Sequence, residues 1–599
     1  MLDRPQPCSL ASYNSSTLHS MNLIMKSGYS RSCQLKILKS RPVLEYTALS
    51  YVWGDPKITT LVFVNGYKTH VTTNLRDALL QLRENGIKSL WADALCIDQK
   101  NKQERGHQVQ KMGTIYKSAS QVISWLGPGA QDTACAFQKI REFARVQRTF
   151  YARYKERKIS LNVLHREFYD HYIENDFLCS AEEWESVRRV SNRPYWSRIW
   201  VIQEVVLGRR VDILCGREIL KLDEFNTFQD FILALRTAFR RRPNLGGQNI
   251  PEIIRNDFIT GAYPYAAASR FIFLCKKSQD GIGLTEIADV YTKSRRILQS
   301  SDEKDRIYGI IGLLKNSYQS SITVDYTIST RSLFTHVMRI MLVNNGPDVL
   351  SWRGLASSNS NDYPSWTLDW KSKKKRKHRI RIHALKVENF SFKSVGESII
   401  ELEAVMVDRV VKEFYTEELR EALETLENEI IQRIGNSPYR LFPSLDVRKA
   451  VWRTLLGDRD PDTFKIPADE KWGQRFEDLI LKKKRQIISE NLVRTYYTVD
   501  GSRDSDSSSD GKDLALDSSG FVEEIWRGML FVTSQGYVGF AQDSVELGDV
   551  VYAFRHGRIP FVLRPTEDMF QLVSGSYMYG FKESKFVDDN QSFGKVRLC

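Results

Sequence analysis

The sequence contains no run of apolar residues that approaches the roughly 18 needed to cross a membrane. Its opening residues, MLDRPQPCSLASYNSS, lack the apolar centre of a secretion signal. We therefore expect a cytoplasmic protein without a membrane span.

Signatures of metal and cofactor binding are missing as well. The eight cysteines are scattered, without a Cys-x-x-Cys pair or a Cys and His spacing suited to zinc, so we expect reduced thiols and no metal site. Neither the P-loop nor the dinucleotide-fold glycine pattern is present, and no Ser-His-Asp arrangement stands out. These absences remove the main support for an ATPase, a dehydrogenase or a serine hydrolase, and no resident cofactor is predicted.

The balance of charge is positive. The chain has 87 Lys and Arg against 73 Asp and Glu, a formal net charge of +14, and part of this surplus lies in KSKKKRKHRIR at 371–381. Such a run is typical of an exposed loop between domains, although it can also attract nucleic acid, anionic lipid or a nuclear-import receptor. We expect a linker, and we keep a nuclear or nucleic-acid-associated protein as an alternative.

The stretch from Lys88 to Gly127 predicts a β-α-β unit. Its first apolar run, 90–92, suits a buried strand, and Asp98 is expected to cap a helix whose apolar face carries Val109, Met112 and Tyr116. A second apolar run follows at 121–126 and stops at Gly127-Pro128-Gly129. This length is that of a crossover between parallel strands.

The residues before this unit predict more of the same sheet. A β-rich run covers 46–53, and two further runs flank Asn65-Gly66, which is a strong hairpin signal. Asn74 is expected to cap a helix that ends at Gly86. Its apolar stripe is formed by Leu75, Ala78, Leu79 and Leu82.

The residues after the unit predict helices at 132–155 and 182–190, a helix capped by Ser197, and a strand at 211–215 that Gly216 ends. Alternating strands and helices indicate an α/β sheet. Near the end of the chain, short strands separated by turns predict a small antiparallel barrel or sandwich.

At 599 residues the chain is expected to form several domains. The predicted fold class is an α/β N-terminal domain with a mostly parallel sheet, a mainly helical middle region and a small antiparallel β domain at the C-terminus. The expected segments are a lead-in at 1–40, the α/β domain at 41–216, the helical region at 217–370, a basic linker at 371–383, a mixed α+β region at 384–500, a disordered linker or loop rich in Ser, Asp and Gly at 501–520, and the β-rich domain at 521–599.

Three motifs occur in a fixed order: YTALSYVWG at 46–54, the block at 90–127 with its WADALCIDQ and WLG, and YWSRIWVIQE at 195–204. Together they resemble the fungal heterokaryon incompatibility (HET) domain family over about residues 43–207. The resemblance implies a part in fungal non-self recognition and in the programmed death of fused, incompatible cells. It also implies self-association and an incompatibility partner protein.

The HET domain in turn looks like a remote relative of TIR domains, which implies a flavodoxin-like sheet and, for some members, cleavage of NAD at its nicotinamide bond. TIR enzymes place their catalytic glutamate in a helix after a tryptophan, in a pattern like W-x-x-x-E. The segment from Trp200 to Glu204 matches this pattern. The resemblance therefore makes Glu204 the candidate catalytic residue, with NAD as substrate and no separate cofactor.

Five further residues are candidates for binding that substrate. Ser50 resembles the serine that follows the first TIR strand, and Asp93 follows a predicted strand, where ligands bind in open α/β sheets. Trp53 offers an aromatic face for nicotinamide or adenine, and Arg105 or Arg198 suits the diphosphate. Structural roles compete in each case, since helical glutamates are commonly ion-paired and tryptophans commonly pack in cores. A signalling module that works by self-assembly without catalysis is the alternative function.

Overall fold

The structure is a computed structural model that describes residues 18–22, 32–38, 45–64, 67–157, 168–177, 179–241, 245–247, 250–260, 281–293, 298–352, 363–370, 390–415, 447–456, 470, 473, 528–541, 544–579, 581 and 592–599. The chain divides into two compact units, Met1–Ser329 and Thr330–Cys599.

A mixed sheet organises the first unit. Nine strands of the described part join in the order β5-β4-β2-β1-β6-β3-β7-β8-β9. Their bounds are β1 Leu18–Asn22, β2 Ser32–Leu38, β3 Thr47–Tyr51, β4 Thr59–Val64, β5 Tyr67–Thr72, β6 Ser89–Trp91, β7 Gln121–Trp125, β8 Val211–Cys215 and β9 Glu218–Lys221.

The centre of this sheet is parallel. Strand β3 pairs in parallel with β6 on one side and β7 on the other, and β7 pairs in parallel with β8. In chain order these four strands follow the pattern 2-1-3-4, which is the beginning of the flavodoxin-type order. The next strand, β9, is antiparallel to β8 and therefore does not provide the fifth parallel strand of that order. The predicted β-α-β crossover is confirmed, with β3 inserted between its two strands.

The helices of the first unit cover the sheet and extend beyond it. They are α1 Thr73–Glu84, α2 Asp93–Cys96, α3 Lys102–Ser118, α4 Thr133–Arg157, α5 Ala181–Ser191, α6 Val201–Leu207, α7 Leu222–Arg241, α8 Glu252–Thr260, α9 Leu284–Lys293, α10 Asp305–Tyr308 and α11 Asn316–Gln319. Short 3-10 turns at Pro194–Ser197 and Ile311–Leu313 and a π turn at Tyr172–Asp176 connect them.

Helix α1 shows why the apolar pattern predicts packing well. The four residues of its predicted stripe are all buried. Gly86 follows the helix with a φ of 77°, a left-handed conformation that residues with a Cβ adopt at a cost. The hairpin of β4 and β5 is also confirmed, with Val64 opposite Tyr67 across the turn.

A cluster of aromatic side chains packs among the helices that follow β7 in the chain. Phe143 stacks on Phe177, Phe228 and Phe231, with ring centroids 6.0, 5.9 and 5.1 Å away. Large aromatic side chains supply much of the buried area of a core, so this cluster stabilises the helices around the sheet.

The three helix caps predicted from the sequence are wrong. Helix α3 is capped by Asn101, whose side chain accepts hydrogen bonds from the Gln103 and Glu104 amides, whereas Asp98 accepts one from Lys100 in the preceding turn. Ser197 donates to the Pro194 carbonyl in a 3-10 turn and precedes no helix directly.

Asn74 lies inside the first turn of α1 and ties the helix to two strands instead of capping it. Its amide nitrogen donates to the Val52 carbonyl over 2.6 Å, and its amide oxygen accepts from the Trp125 indole over 3.0 Å. Asn74 therefore joins the ends of β3 and β7.

The segment boundaries differ from those expected. Residues 1–40, expected to be a lead-in, contribute β1 and β2, which pair with each other and with β6 and β4 of the sheet. The sheet also continues past residue 216 into β9, and the first compact unit extends to Ser329. The helical region at 217–370 is therefore divided between two units.

The second unit contains the antiparallel sheet predicted for the C-terminus. Strands β11, β12, β13, β16, β15 and β14 pair in that order, and β14 pairs back to β11, so the ring of strands closes. The bounds are β10 Lys393–Val395, β11 Ile399–Tyr415, β12 Met529–Thr533, β13 Val538–Ala541, β14 Val550–Phe554, β15 Pro560–Thr566, β16 Met569–Met578 and β17 Gly594–Leu598, with helices α12 Thr330–Asn345 and α13 Val447–Leu456 and a 3-10 turn at Pro347–Trp352.

Strand β11 lies outside the expected β-rich domain at 521–599 but completes this ring, because its residues 404–409 pair with β14 and its residues 410–415 pair with β12. All of the basic run at 371–383 and all of the linker expected at 501–520 lie outside the described residues. Every helix in the described part of the chain is too short or too polar to span a bilayer.

A candidate active site around Glu204

Glu204 lies in the seven-residue helix α6, and its carboxyl group reaches the end of strand β3. The side chain is 2% exposed. Ser50, the penultimate residue of β3, donates its hydroxyl proton to Glu204 Oε2. The sequence separates these two residues by 154 positions, and the fold brings them into direct contact.

Two tyrosines complete the polar surroundings of this carboxyl group. The Tyr195 hydroxyl lies 2.7 Å from Ser50 Oγ, and because the Ser50 proton is directed at Glu204, Tyr195 is the donor in that pair. Tyr116 hydrogen-bonds Glu204 as well, and its hydroxyl also lies 3.1 Å from the Leu49 carbonyl. The apolar spacing of the sequence placed Tyr116 on the apolar face of its helix, and Tyr195 was not among the predicted site residues.

Burial dominates the protonation of Glu204 and raises its pKa to about 7. The negative charge of Asp93 raises the pKa further, whereas Arg198 and the hydrogen bonds from Ser50 and Tyr116 lower it. A carboxyl group with a pKa near neutrality can exchange a proton under cellular conditions.

Arg198 and Asp93 are the charged neighbours of Glu204. Arg198 is half-buried and donates to the Tyr51 carbonyl at the end of β3. Burial opposes the charge of Arg198, but the carboxylates of Glu204 and Asp93 outweigh this effect and raise the pKa of the guanidinium. The arginine is therefore charged beside the glutamate.

Asp93 and Trp53 form the more exposed part of the group. Asp93 follows strand β6, and its carboxylate accepts hydrogen bonds from the Ala94 amide over 2.7 Å and from the Trp53 indole over 2.8 Å. Trp53 is 38% exposed. An accessible aromatic face thus lies beside a carboxylate.

Two further buried hydroxyl groups adjoin this cluster. The Tyr51 hydroxyl interacts with the Asp93 carboxylate, and Ser124, which is opposite Ser50 in the parallel register of β3 and β7, interacts with the Tyr195 hydroxyl. Ser124 was not among the predicted site residues, and the parallel pairing of β3 and β7 is what places it here.

Arg105 is not part of this group. Its guanidinium lies 3.5 Å from the centre of the Tyr326 ring and 3.5 Å from an oxygen of Asp302. Five of the six predicted site residues therefore converge: Ser50, Trp53, Asp93, Arg198 and Glu204.

These five residues lie where folds of this class usually bind ligands. Open α/β sheets bind ligands beyond the carboxyl ends of their strands, at the point where the strand order reverses. In the 2-1-3-4 order that point lies between β3 and β7, and Ser50 and Ser124 stand at the carboxyl ends of these two strands.

Comparison with known proteins finds one family match near each end of the chain. Residues 46–204 match the family model for heterokaryon incompatibility protein (HET), and residues 521–592 match that for the Het-6 beta-barrel domain. The chain is 22% identical to heterokaryon incompatibility protein 6, OR allele, of Neurospora crassa, over 91% of this chain and 90% of that protein. No solved structure matches the chain significantly. The two family matches and this similarity confirm the resemblance of the sequence motifs to the fungal heterokaryon incompatibility family.

Proposed function

We propose that this protein acts in heterokaryon incompatibility, as a cytoplasmic component that recognises non-self after cell fusion and signals programmed cell death. The HET domain, the Het-6 barrel and the similarity to the Neurospora crassa protein support the first part of this proposal. The family resemblance supports the cell-death signal, the involvement of a partner protein and self-association.

At the level of chemistry, we propose that the first unit cleaves NAD between nicotinamide and ribose. One observation carries this proposal: Glu204 is buried against Ser50 at the switch point of the sheet, with Asp93, Arg198 and the exposed face of Trp53 around it. The TIR resemblance predicted Glu204 and Ser50 from separate motifs, and their direct contact is an independent reason to assign them to one site.

The reaction requires Glu204 in its ionised form rather than in its protonated form. When the bond between ribose C1′ and the nicotinamide nitrogen breaks, its electron pair stays with nicotinamide, and the ribose acquires positive oxocarbenium character. Water then adds to C1′ and releases a proton. The ionised Glu204 stabilises the positive sugar, as carboxylates do in glycoside hydrolysis.

The other residues of the site suit the rest of the dinucleotide. The Trp53 face can stack on nicotinamide or adenine, and the charge of Arg198 suits the diphosphate. Arg105 is engaged by Tyr326 and Asp302, so we assign the diphosphate to Arg198.

The burial of Glu204 favours a second candidate function. At 2% exposure the carboxyl group is closed to substrate in this conformation, so catalysis requires the site to open, which we assign to self-association. A module that assembles and signals without catalysis needs no such opening. The closed site is the specific observation in favour of this alternative.

Nicotinamide release separates the two candidates. The full chain is incubated with NAD over a range of protein concentrations, including those at which oligomers form, and nicotinamide is quantified by chromatography. The enzymatic proposal expects release that increases with assembly and falls by about 100-fold or more in Glu204→Gln, the size of the effect when a transition-state stabilising group is removed. Glu401→Gln, a buried glutamate of the second unit, is the matched control and should retain activity.

Absence of nicotinamide at every protein concentration excludes the enzymatic proposal. Cell death in a fungal host that persists in Glu204→Gln but is lost when assembly is blocked supports the second candidate.

A further inference from the structure

The segment that carries Arg198 and Glu204 is held by residues from much later in the chain. Gln299 pairs with the backbone on both sides of Arg198. Its amide donates to the Ser197 carbonyl over 2.5 Å, and its carbonyl accepts from the Ile199 amide over 3.0 Å. Residues 298–314, which we call the clamp, thus fix the backbone at the arginine.

Asp305 provides the second attachment of the clamp. It is 6% exposed and accepts hydrogen bonds from the Trp200 indole over 3.3 Å and from the Tyr326 hydroxyl over 2.7 Å. Trp200 is the residue that precedes helix α6. A single buried carboxylate therefore fixes the start of the helix that carries Glu204.

Gly312 provides the third attachment. Its amide donates to the side-chain oxygen of Gln203 over 2.6 Å, next to Glu204 in the chain. A Cβ at residue 312 would lie 2.6 Å from that same oxygen and 3.0 Å from the Gly113 Cα, so only glycine allows this close approach. The clamp thereby packs helix α6 against helix α3.

Helix α6 needs such contacts. It has seven residues, and Trp200 gives it no side-chain cap, so its own hydrogen bonds are too few to hold it in place. We propose that the clamp is a positioning element of the candidate active site, and that it fixes Arg198 and Glu204 against the end of strand β3. The HET family match ends at residue 204, so this element lies outside the matched region but inside the same compact unit.

Amide hydrogen exchange of the full chain tests the clamp without relying on the proposed function. Asp305→Ala removes two buried hydrogen bonds, and the amides of residues 199–207 should exchange about tenfold faster or more. Asp305→Asn keeps one acceptor oxygen and should restore part of the protection. The matched control is Asp257→Ala, because Asp257 is 7% exposed and accepts the Trp184 indole bond elsewhere in the unit.

A second measurement distinguishes positioning from general stability. Burial of Glu204 predicts that the folding equilibrium constant of Glu204→Gln, relative to that of the natural chain, rises by about 70-fold from pH 5 to pH 8. In the Asp305→Ala background this pH-dependent factor should fall below about 30-fold, because the displaced Glu204 carboxyl group becomes hydrated. In the Asp257→Ala background the factor should be unchanged.

The clamp is rejected if exchange at 199–207 is unchanged in Asp305→Ala, or if the Asp257 control produces the same effects on these amides and on the pH factor. Neither outcome depends on NAD. A protein without NAD cleavage can therefore still confirm or reject the clamp.

Discussion

Replacing Glu204 by glutamine should make the first unit more stable at alkaline pH. Burial raises the pKa of this carboxyl group from 4.5 to about 7, so the folded state holds a proton that the unfolded chain releases at lower pH. Stability from this group is fully present below about pH 4.5, declines as the pH rises and is lost above about pH 7.

The size of the effect follows from the shift in pKa. Each unit corresponds to 1.36 kcal/mol, so ionisation of Glu204 costs the folded state about 3 kcal/mol at pH 8 relative to pH 4.5. Glutamine keeps the shape and an acceptor for the Ser50 hydroxyl but carries no charge, so Glu204→Gln avoids this cost. The stability of the variant relative to the natural chain should be about 3 kcal/mol greater at pH 8 than at pH 4.5. The increase from pH 5 to pH 8 should be somewhat smaller, because part of the change has already occurred at pH 5.

Hydrogen exchange of the amides in β3 and β7 measures this margin for the first unit alone. The free energy of opening is compared between the two proteins at the same pH, which cancels the intrinsic pH dependence of exchange. Glu182→Gln, an exposed glutamate with a lowered pKa, is the control and should show no such gain. A margin that does not grow from pH 5 to pH 8 would refute the reasoning, because it would mean that Glu204 is ionised without cost in the folded state.

Three further predictions concern other residues. Ser50→Ala removes a hydrogen bond that lowers the pKa of Glu204, so the pH midpoint of nicotinamide release should move to more alkaline values in a pH-rate profile. Asn101→Ala should destabilise helix α3 by about 1 kcal/mol in thermal unfolding, and Asp98→Ala by less, because Asn101 is the residue that caps the helix. Neutralising the basic residues from Lys373 to Lys377 should leave a tagged protein in the cytoplasm, and loss of a nuclear signal would instead identify the run as an import address.

Local patterns in the sequence predicted the elements of the sheet well. The apolar stripe of helix α1, the hairpin of β4 and β5 and the strand at 211–215 all follow from spacing between neighbours in the chain. The caps failed because several Asn, Asp and Ser residues compete at each helix start, and tertiary contacts decide among them. The side chain of Asn74, for example, hydrogen-bonds the Val52 carbonyl and the Trp125 indole instead of capping its helix.

Features that depend on distant parts of the chain were harder to predict. Residues 1–40 have no sustained apolar period, and their two strands are held by pairing with the strands at 89–91 and 59–64. The separate resemblances of Ser50 and Glu204 predicted a shared site. No sequence pattern indicated that Tyr195 would hydrogen-bond Ser50 or that Arg105 would pack on the Tyr326 ring. The clamp was missed for the same reason, since Gly312 and Gln203 are 109 positions apart.

The most direct test of the proposed chemistry is the pH dependence of nicotinamide release from NAD by the assembled full chain, with Glu204→Gln measured in parallel. If the ionised Glu204 stabilises the positive sugar, the rate should rise as the pH passes about 7, and the variant should lose this rise together with most of the activity. A rate that is the same in both proteins, or a natural chain that releases no nicotinamide at any pH, would contradict the assignment of Glu204 as the catalytic residue.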